Sequence, residues 1–150
     1  MLDTNRLRLH PAPREEAEQL VELQTDAEMK SAYQQMLEGG LAHRWQWVWY
    51  TPGIITLKDG TFIGDLCFKG VDTSGAAEIG YGLLPDYVGK GYATEAVSAA
   101  VRWALDQPGI CRIEAETEPD NLASQRVLKK CGFTPSGIMG KEGPRFCMEK

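Results

Sequence analysis

The spacing of apolar and polar residues predicts one strand and two helices in the first third of the chain. Residues 6–10 alternate between polar and apolar, which is typical of a short strand. Residues 14–26 carry apolar side chains at helical spacing and acidic residues near their start, where the helix dipole favours negative charge. Residues 26–40 form a weaker helical stretch, which we expect to end at Gly39 and Gly40.

Residues 44–70 have the pattern of a β-hairpin. The Asp59-Gly60 dipeptide is a turn signal, and β-branched and aromatic residues are enriched on both sides of it. Residues 45–50 hold three tryptophans and a tyrosine in a strand-like alternation just before the hairpin. Two antiparallel strands are therefore predicted here.

The middle of the chain reads as a strand, a glycine-rich loop and a long helix. Residues 76–84 are an apolar run that leads directly into the loop. After Gly91, apolar residues recur at the spacing of a helix with one buried face, and Pro108 and Gly109 stop the pattern.

The last third predicts a strand, a capped helix and two short closing strands. Residues 111–118 alternate strictly between small or apolar and charged residues. The helix that follows has Asp120 or Asn121 as its N-cap and Gly132 in position for a left-handed C-cap. With no internal repeat, the predicted fold class is one mixed α/β domain over residues 1–150.

Composition and charge narrow the class of protein. The chain is 43% hydrophobic and 25% charged, which is typical of soluble globular proteins. A net charge of -5 argues against nucleic acid as a partner and mildly favours a cationic ligand. No uncharged apolar run approaches the roughly 18 residues of a membrane span. The N-terminal residues lack the apolar stretch of a signal peptide, so a cytoplasmic protein is expected.

Cysteine and histidine do not point to metal or nucleophilic chemistry. The four cysteines are far apart, sit among apolar neighbours and are expected to be small core residues away from the loop. His10 and His43 have no carboxylate or cysteine at ligand spacing. No metal site is expected.

The glycine-rich loop is a candidate anion site. Unpaired N–H groups at a helix N-terminus attract phosphate, and Gly89 and Gly91 let the backbone approach it closely. The order of residues excludes a P-loop, since Lys90 lies between the glycines. The dinucleotide fingerprint is matched in part, with Thr94 at its third glycine, so a dinucleotide-binding module stays an alternative.

Three motifs in order resemble one known family. In "VGKGYA", Gly91 and Ala93 match the pattern Q/R-x-x-G-x-G/A, although Val88 stands where Gln or Arg is usual. "AEIGYGL" before it and "NLASQRVLKKCGF" after it are also similar to family sequences, and the match spans about residues 55 to 133. The chain resembles the GNAT superfamily of acetyl-CoA-dependent N-acetyltransferases, in particular the RimJ and RimL group of ribosomal-protein acetyltransferases.

This resemblance implies a fold and a cosubstrate. The fold would be a mostly antiparallel sheet flanked by helices, with the strand of "EIGYGLL" splayed from the strand of "CRIEAETE". Acetyl-CoA would be the cosubstrate, with its pyrophosphate on the loop and its pantetheine arm paired near Leu83. The implied cofactor-binding residues are Leu83, Leu84, Val88, Gly89, Lys90, Gly91, Tyr92, Ala93, Thr94 and Asn121.

The resemblance also implies the chemistry. Glu78 would be the general base, and Ser124 would give a proton to the departing thiolate. The acceptor would be an amine of a small molecule or a protein N-terminus, attacked without a covalent enzyme intermediate. A homodimer is implied by analogy, and a CoA sensor without turnover stays a second alternative.

Overall fold

A computed structural model of the chain describes residues 2–150, which form four α-helices and one eight-stranded sheet. The strands are β1 (Leu2–Asp3), β2 (Leu7–Pro11), β3 (Pro52–Leu57), β4 (Phe62–Val71), β5 (Ala76–Leu83), β6 (Arg112–Glu116), β7 (Thr134–Met139) and β8 (Pro144–Glu149). The helices are α1 (Arg14–Leu23), α2 (Ala27–Ala42), α3 (Tyr92–Leu105) and α4 (Leu122–Lys130). The mixed α/β class predicted from the sequence is confirmed.

The sheet is antiparallel except at one place. Its strand order is β1-β2-β3-β4-β5-β6-β8-β7, and only the neighbours β5 and β6 run parallel. Those two strands pair over just three residues of β5, from Ala76 to Glu78. The rest of β5 splays away from β6, as predicted. The parallel Rossmann sheet that a dinucleotide-binding module requires is absent from residues 2–150, so that alternative is wrong.

Helices cover both faces of the sheet. The neighbouring residues Ile54 and Ile55 point in opposite directions and belong to two different apolar clusters. Ile55 packs in the larger cluster with the buried stripe of α3 and with Leu128 of α4, which defines the α3 face. Ile54 packs with Tyr33 and other residues of α1 and α2, which defines the α2 face. No helix within residues 2–150 is long and apolar enough to cross a membrane.

The tryptophan-rich segment differs from the prediction. Arg44–Trp49 is a 3-10 helix and not a strand. Trp47 packs with the α2-face cluster while Trp49 packs with the α3-face cluster, so a tight turn sends the two rings to opposite sides. Helix α2 also runs past Gly39 and Gly40. A Cβ at Gly40 would overlap the Trp47 ring, so this glycine serves close packing instead of ending the helix.

The four cysteines do not share one environment. Cys67 is buried, as expected, but Cys111 is exposed and Cys131 and Cys147 are half-buried. The alternation around Cys111 is that of a strand, yet β6 begins one residue later, so Cys111 lies in the loop that precedes the strand.

Candidate active site

The glycine-rich loop connects β5 to α3 and has the shape of a phosphate cradle. A short 3-10 helix, Pro85–Tyr87, follows β5, and Val88 is extended. Gly89 and Gly91 have φ angles of 81° and 83°, in the left-handed region that favours glycine. The second of these glycines is the N-cap of α3. The backbone conformation of the loop therefore favours glycine at both positions, independently of any ligand.

The N-terminus of α3 offers free hydrogen-bond donors. Its first intrahelical bond runs from the N–H of Glu95 to the carbonyl of Gly91. No side chain within residues 2–150 caps this terminus. The N–H groups of Tyr92, Ala93 and Thr94 therefore lack helical partners and carry the positive end of the helix dipole.

A groove of about 350 Å³ lies on the α3 face between this loop, the end of β5 and helix α4. Its lining includes eight of the residues predicted from the sequence, namely Leu83, Val88, Gly89, Gly91, Ala93, Thr94, Asn121 and Ser124. Leu84, Lys90 and Tyr92 were also predicted but do not line it. Arg126 and Lys130 of α4 do line it, and sequence reasoning missed both. These two cations suit a ligand that carries phosphates.

Arg6, which precedes β2 in the chain, contacts the glycine-rich loop and the first turn of α3. Its Nη1 donates to the carbonyl of Lys90 at 3.0 Å, and its Nε pairs with Glu95 at 2.8 Å. The guanidinium also lies 4.3 Å from the centre of the Tyr92 ring. Burial raises the pKa of Glu95, but hydrogen bonds from Thr4 and Arg6 outweigh it and keep that pKa below its usual value. Arg6 therefore ties the first segment of the chain to the cradle.

The splayed part of β5 leaves an open edge beside the groove. The N–H of Leu84 donates to Ile63 of β4 at 2.8 Å. Hydrogen-bonding direction alternates along a strand, so the amides of Tyr81 and Leu83 point away from β4 toward the side where β6 has diverged. An extended ligand could pair with these amides as an additional strand.

Ser124 lies across the groove from β5, in the first turn of α4. Its hydroxyl is 2.8 Å from the Tyr81 hydroxyl, and Asn121 caps the helix by accepting from the Ser124 N–H at 3.1 Å. Burial raises the pKa of Tyr81 despite the hydrogen bond with Ser124, so the phenol stays protonated. The Tyr81 ring packs against the α3-face cluster, and its hydroxyl forms with Ser124 a hydroxyl pair at the groove.

Glu78 lies on the opposite face of the sheet. Its Oε1 accepts from Arg145 at 2.6 Å, and its Oε2 is 3.3 Å from Lys69. Glu114 and Glu116 of β6 also bind Arg145. At about 3.3 Å per residue, Glu78 is roughly 13 Å along the strand from Gly82. The predicted base is therefore part of a cluster of charged side chains, located where β5 still pairs with β6.

Other side chains of the α2 face lie closer to the part of β5 that has no β6 partner. Asp65 is the register partner of Gly82 and Cys67 that of Gly80. Tyr33 of α2 donates a hydrogen bond to Asp65 Oδ2. Sequence reasoning missed Asp65, although an acidic residue inside the apolar run "FIGDLCF" is the signal that marks it.

Two cysteines correct the expectation that no cysteine lies near the loop or the site. The Cys131 sulfur is 3.6 Å from the Thr94 carbonyl oxygen at the start of α3, and Cys67 lies beside β5 on the α2 face. The Cys67 sulfur is 3.9 Å from where a Cβ of Gly80 would be. Burial, followed by the negative charge of Asp65, raises the pKa of this thiol to about 12. A thiol that stays protonated is a poor nucleophile, so the cysteine does not favour a covalent intermediate. Within residues 2–150, no three His, Cys, Asp or Glu side chains are grouped to hold a metal ion.

Comparison with solved structures agrees with this architecture. The spermidine N-acetyltransferase SpeG from Vibrio cholerae superposes with a TM-score of 0.76 at 15% identity, covering 97% of this chain and 95% of that one. RimJ from Mycobacterium smegmatis, solved in complex with CoA-disulfide, superposes with a TM-score of 0.72 at 22% identity, covering 95% and 81%. These likenesses show the fold.

Sequence comparison shows the family. The family model described as acetyltransferase (GNAT) domain matches residues 6–134. The uncharacterized N-acetyltransferase YjdG of Bacillus subtilis is 30% identical over 158 residues, covering 89% of each protein. Further N-acetyltransferase relatives match along about half of their own length. The chain belongs to the GNAT family of acetyl-CoA-dependent N-acetyltransferases.

Proposed function

We propose that this protein acts in the cytoplasm and transfers the acetyl group of acetyl-CoA directly to a primary amine of a small molecule or a protein N-terminus. The observation that carries the proposal is the continuous path from the anion cradle at α3 to the open edge of β5. The pyrophosphate would sit on the N–H groups from Gly89 to Thr94, and the pantetheine arm would pair with the free amides of Tyr81 and Leu83.

The groups that act on the leaving thiolate lie on the α3 face. Ser124 gives its proton to the departing sulfur and is re-protonated through the Tyr81 hydroxyl, 2.8 Å away. The backbone N–H of Leu83 points to the open edge and polarises the thioester carbonyl. Asn121 fixes Ser124 by capping the helix on which it lies.

The role of Glu78 as general base stays a prediction. Both of its carboxylate oxygens already contact cations, Oε1 with Arg145 and Oε2 with Lys69, so an amine that reaches Glu78 would have to share it with two positive side chains. The proposed acetyl transfer does not depend on Glu78, because the cradle and the hydroxyl pair act independently of it.

Two measurements in sequence test the proposed function. The first is thermal unfolding with acetyl-CoA, CoA or NAD, since a ligand that binds only the folded protein raises the melting temperature. We expect a rise with acetyl-CoA and CoA and none with NAD. The second is thiol release from acetyl-CoA in the presence of spermidine, kanamycin or a Ser-Ala-Ala peptide. Binding without turnover of any amine would favour the CoA sensor. If acetyl-CoA does not raise the melting temperature, both the acetyltransferase and the CoA sensor are refuted. Size-exclusion chromatography of the same sample tests the homodimer that the family resemblance implies.

A further inference from the structure

The surface above Gly82 is an open patch beside a carboxylate. Gly82 is exposed, and the nearest atom to a Cβ built there is Asp65 Oδ1, at 4.0 Å. The next glycine on this face, Gly80, is covered by the Lys69 side chain and Cys67. A molecule that approaches β5 from the α2 face therefore meets the backbone at Gly82, next to Asp65.

Asp65 has one oxygen held and one oxygen free. Oδ2 accepts from the Tyr33 hydroxyl, while Oδ1 accepts no hydrogen bond from any residue in the range 2–150. No Lys or Arg of that range forms an ion pair with it. A partly buried carboxylate without a cation is costly, so the site favours a ligand that brings a positive charge.

The position of Gly82 connects this carboxylate to the reaction centre. Gly82 lies between Tyr81 and Leu83, whose amides face the open edge of β5. The hydroxyl pair of Tyr81 and Ser124 lies on the α3 face of the same stretch. A thioester that lies along this edge would be accessible from the α2 face at Gly82, since β6 no longer pairs with β5 there.

We propose that Asp65 binds the ammonium group of a cationic acceptor above Gly82 and then accepts its proton, as the general base of the transfer. This inference rests on the proposed function and adds to it both an acceptor class, cationic primary amines, and the group that activates them.

Each proton released in this step has an acceptor among the groups already described. The ammonium gives one proton to Asp65, and the neutral nitrogen forms a bond to the carbonyl carbon of the thioester. The carbon–sulfur bond breaks, and the second proton lost by nitrogen reaches the thiolate by way of the Ser124 hydroxyl. The products are the amide, the CoA thiol and one proton, which Asp65 returns to water.

The surroundings of Asp65 suit a base. Burial raises the pKa of its carboxyl, and the hydrogen bond from Tyr33 partly opposes that rise. The titratable groups on the same face include Tyr33 of α2, Cys67 and Lys69 of β4, and the cluster formed by Glu78, Glu114, Glu116 and Arg145. Burial also raises the pKa of Tyr33, so this phenol stays a donor over the working pH range.

The test compares Asp65→Asn with the wild type, using the best amine from the screen above and hydroxylamine. Hydroxylamine is neutral at pH 7 and needs no base to free its nitrogen. We expect Asp65→Asn to lower kcat/KM for the cationic amine by about 100-fold or more and for hydroxylamine by much less. The melting-temperature rise with acetyl-CoA should be unchanged, because the cradle lies on the other face.

Two further variants sharpen the comparison. Asp59→Asn makes the same chemical change in the exposed hairpin turn, where an amide oxygen can still accept from the Thr61 N–H, and should leave kcat/KM unchanged. Tyr33→Phe removes the hydrogen bond that lowers the pKa of Asp65, so that pKa should rise. The acidic limb of the pH profile of kcat/KM should then move to higher pH.

The outcomes separate this inference from the proposed function. A wild-type protein that acetylates amines, with Asp65→Asn equally active and its acidic limb retained, would overturn the role of Asp65 alone. Loss of that limb in Glu78→Gln but not in Asp65→Asn would give the role to Glu78. Equal losses with both acceptors, together with weaker acetyl-CoA binding, would reduce Asp65 to a structural residue. A wild type that acetylates nothing would overturn both proposals.

Discussion

Arg6 allows the link between the first segment and the cofactor cradle to be tested directly. The change is Arg6→Ala, which removes three contacts at once: the ion pair with Glu95, the hydrogen bond to the Lys90 carbonyl and the stacking on Tyr92. The variant changes no residue of the loop itself. Its effect therefore reports what a distant side chain contributes to the shape of the cradle.

The size of the effect follows from these contacts. The Arg6 side chain is 40% exposed, so its ion pair contributes only about 0.5 kcal/mol. The hydrogen bond to Lys90 contributes about 1 kcal/mol and the stacking about 0.5 kcal/mol. We expect a loss of about 2 kcal/mol in the free energy of unfolding. For a domain of this size, that loss lowers the melting temperature by roughly 4 to 8 °C.

Binding should weaken as well, because the Lys90 carbonyl is then free to move. If about 1 kcal/mol of loop ordering is lost, the Kd for CoA rises about fivefold, which isothermal titration calorimetry would resolve. The control is Arg8→Ala, two residues away, whose side chain is 51% exposed and, among residues 2–150, forms an ion pair only with Asp3, at 3.3 Å. Equal effects of the two variants on melting temperature and on Kd would refute the role given to Arg6.

Three other variants probe the groove. Ser124→Ala should lower kcat about 100-fold with the Kd for acetyl-CoA nearly unchanged, as steady-state kinetics and calorimetry would show; an unchanged kcat would remove Ser124 from proton donation. Val88→Gln should tighten CoA binding several-fold, because Val88 is 55% exposed at the rim of the groove and an amide there adds about 1 kcal/mol of hydrogen bonding. A weaker Kd for CoA in this variant would show that Val88 is not the missing contact. Gly89→Ala should cost about 1 to 2 kcal/mol of stability from backbone strain at φ 81° and should weaken CoA binding; a melting temperature equal to that of the wild type would contradict this.

The elements that the sequence predicted well are those whose signal is local. The stripe of apolar residues after Gly91 has a helical period, and each of its central members is buried in α3. The glycine turn between β5 and α3 was predicted because left-handed φ angles favour glycine and because the family motif covers the same residues. Asp120 or Asn121 was predicted as the cap of α4, and Asn121 is the cap; this signal is also local, since a cap is a contact over three residues.

The features that the sequence did not reveal depend on pairing between distant segments. Asp65 is the register partner of Gly82 only through the β4–β5 ladder, which contains a β-bulge. Arg6 reaches Lys90 across 84 positions of sequence. The three tryptophans have high strand propensity, but Trp47 also donates a hydrogen bond to the carbonyl of Ala12, and such packing overrode the local preference.

The place of the site follows from the one parallel pair in the sheet. Helix α3 connects β5 to β6, and such a crossover brings the carboxyl end of β5 next to the N-terminus of the helix. Because β5 is antiparallel to β4 but parallel to β6, the two sides of β5 meet different neighbours, and after Glu78 one side meets none. A ligand anchored at the helix can then run along the free side of β5, while the α2 face stays open above Gly82. The same change of strand direction thus creates both the groove proposed for acetyl-CoA and the opening proposed for the amine.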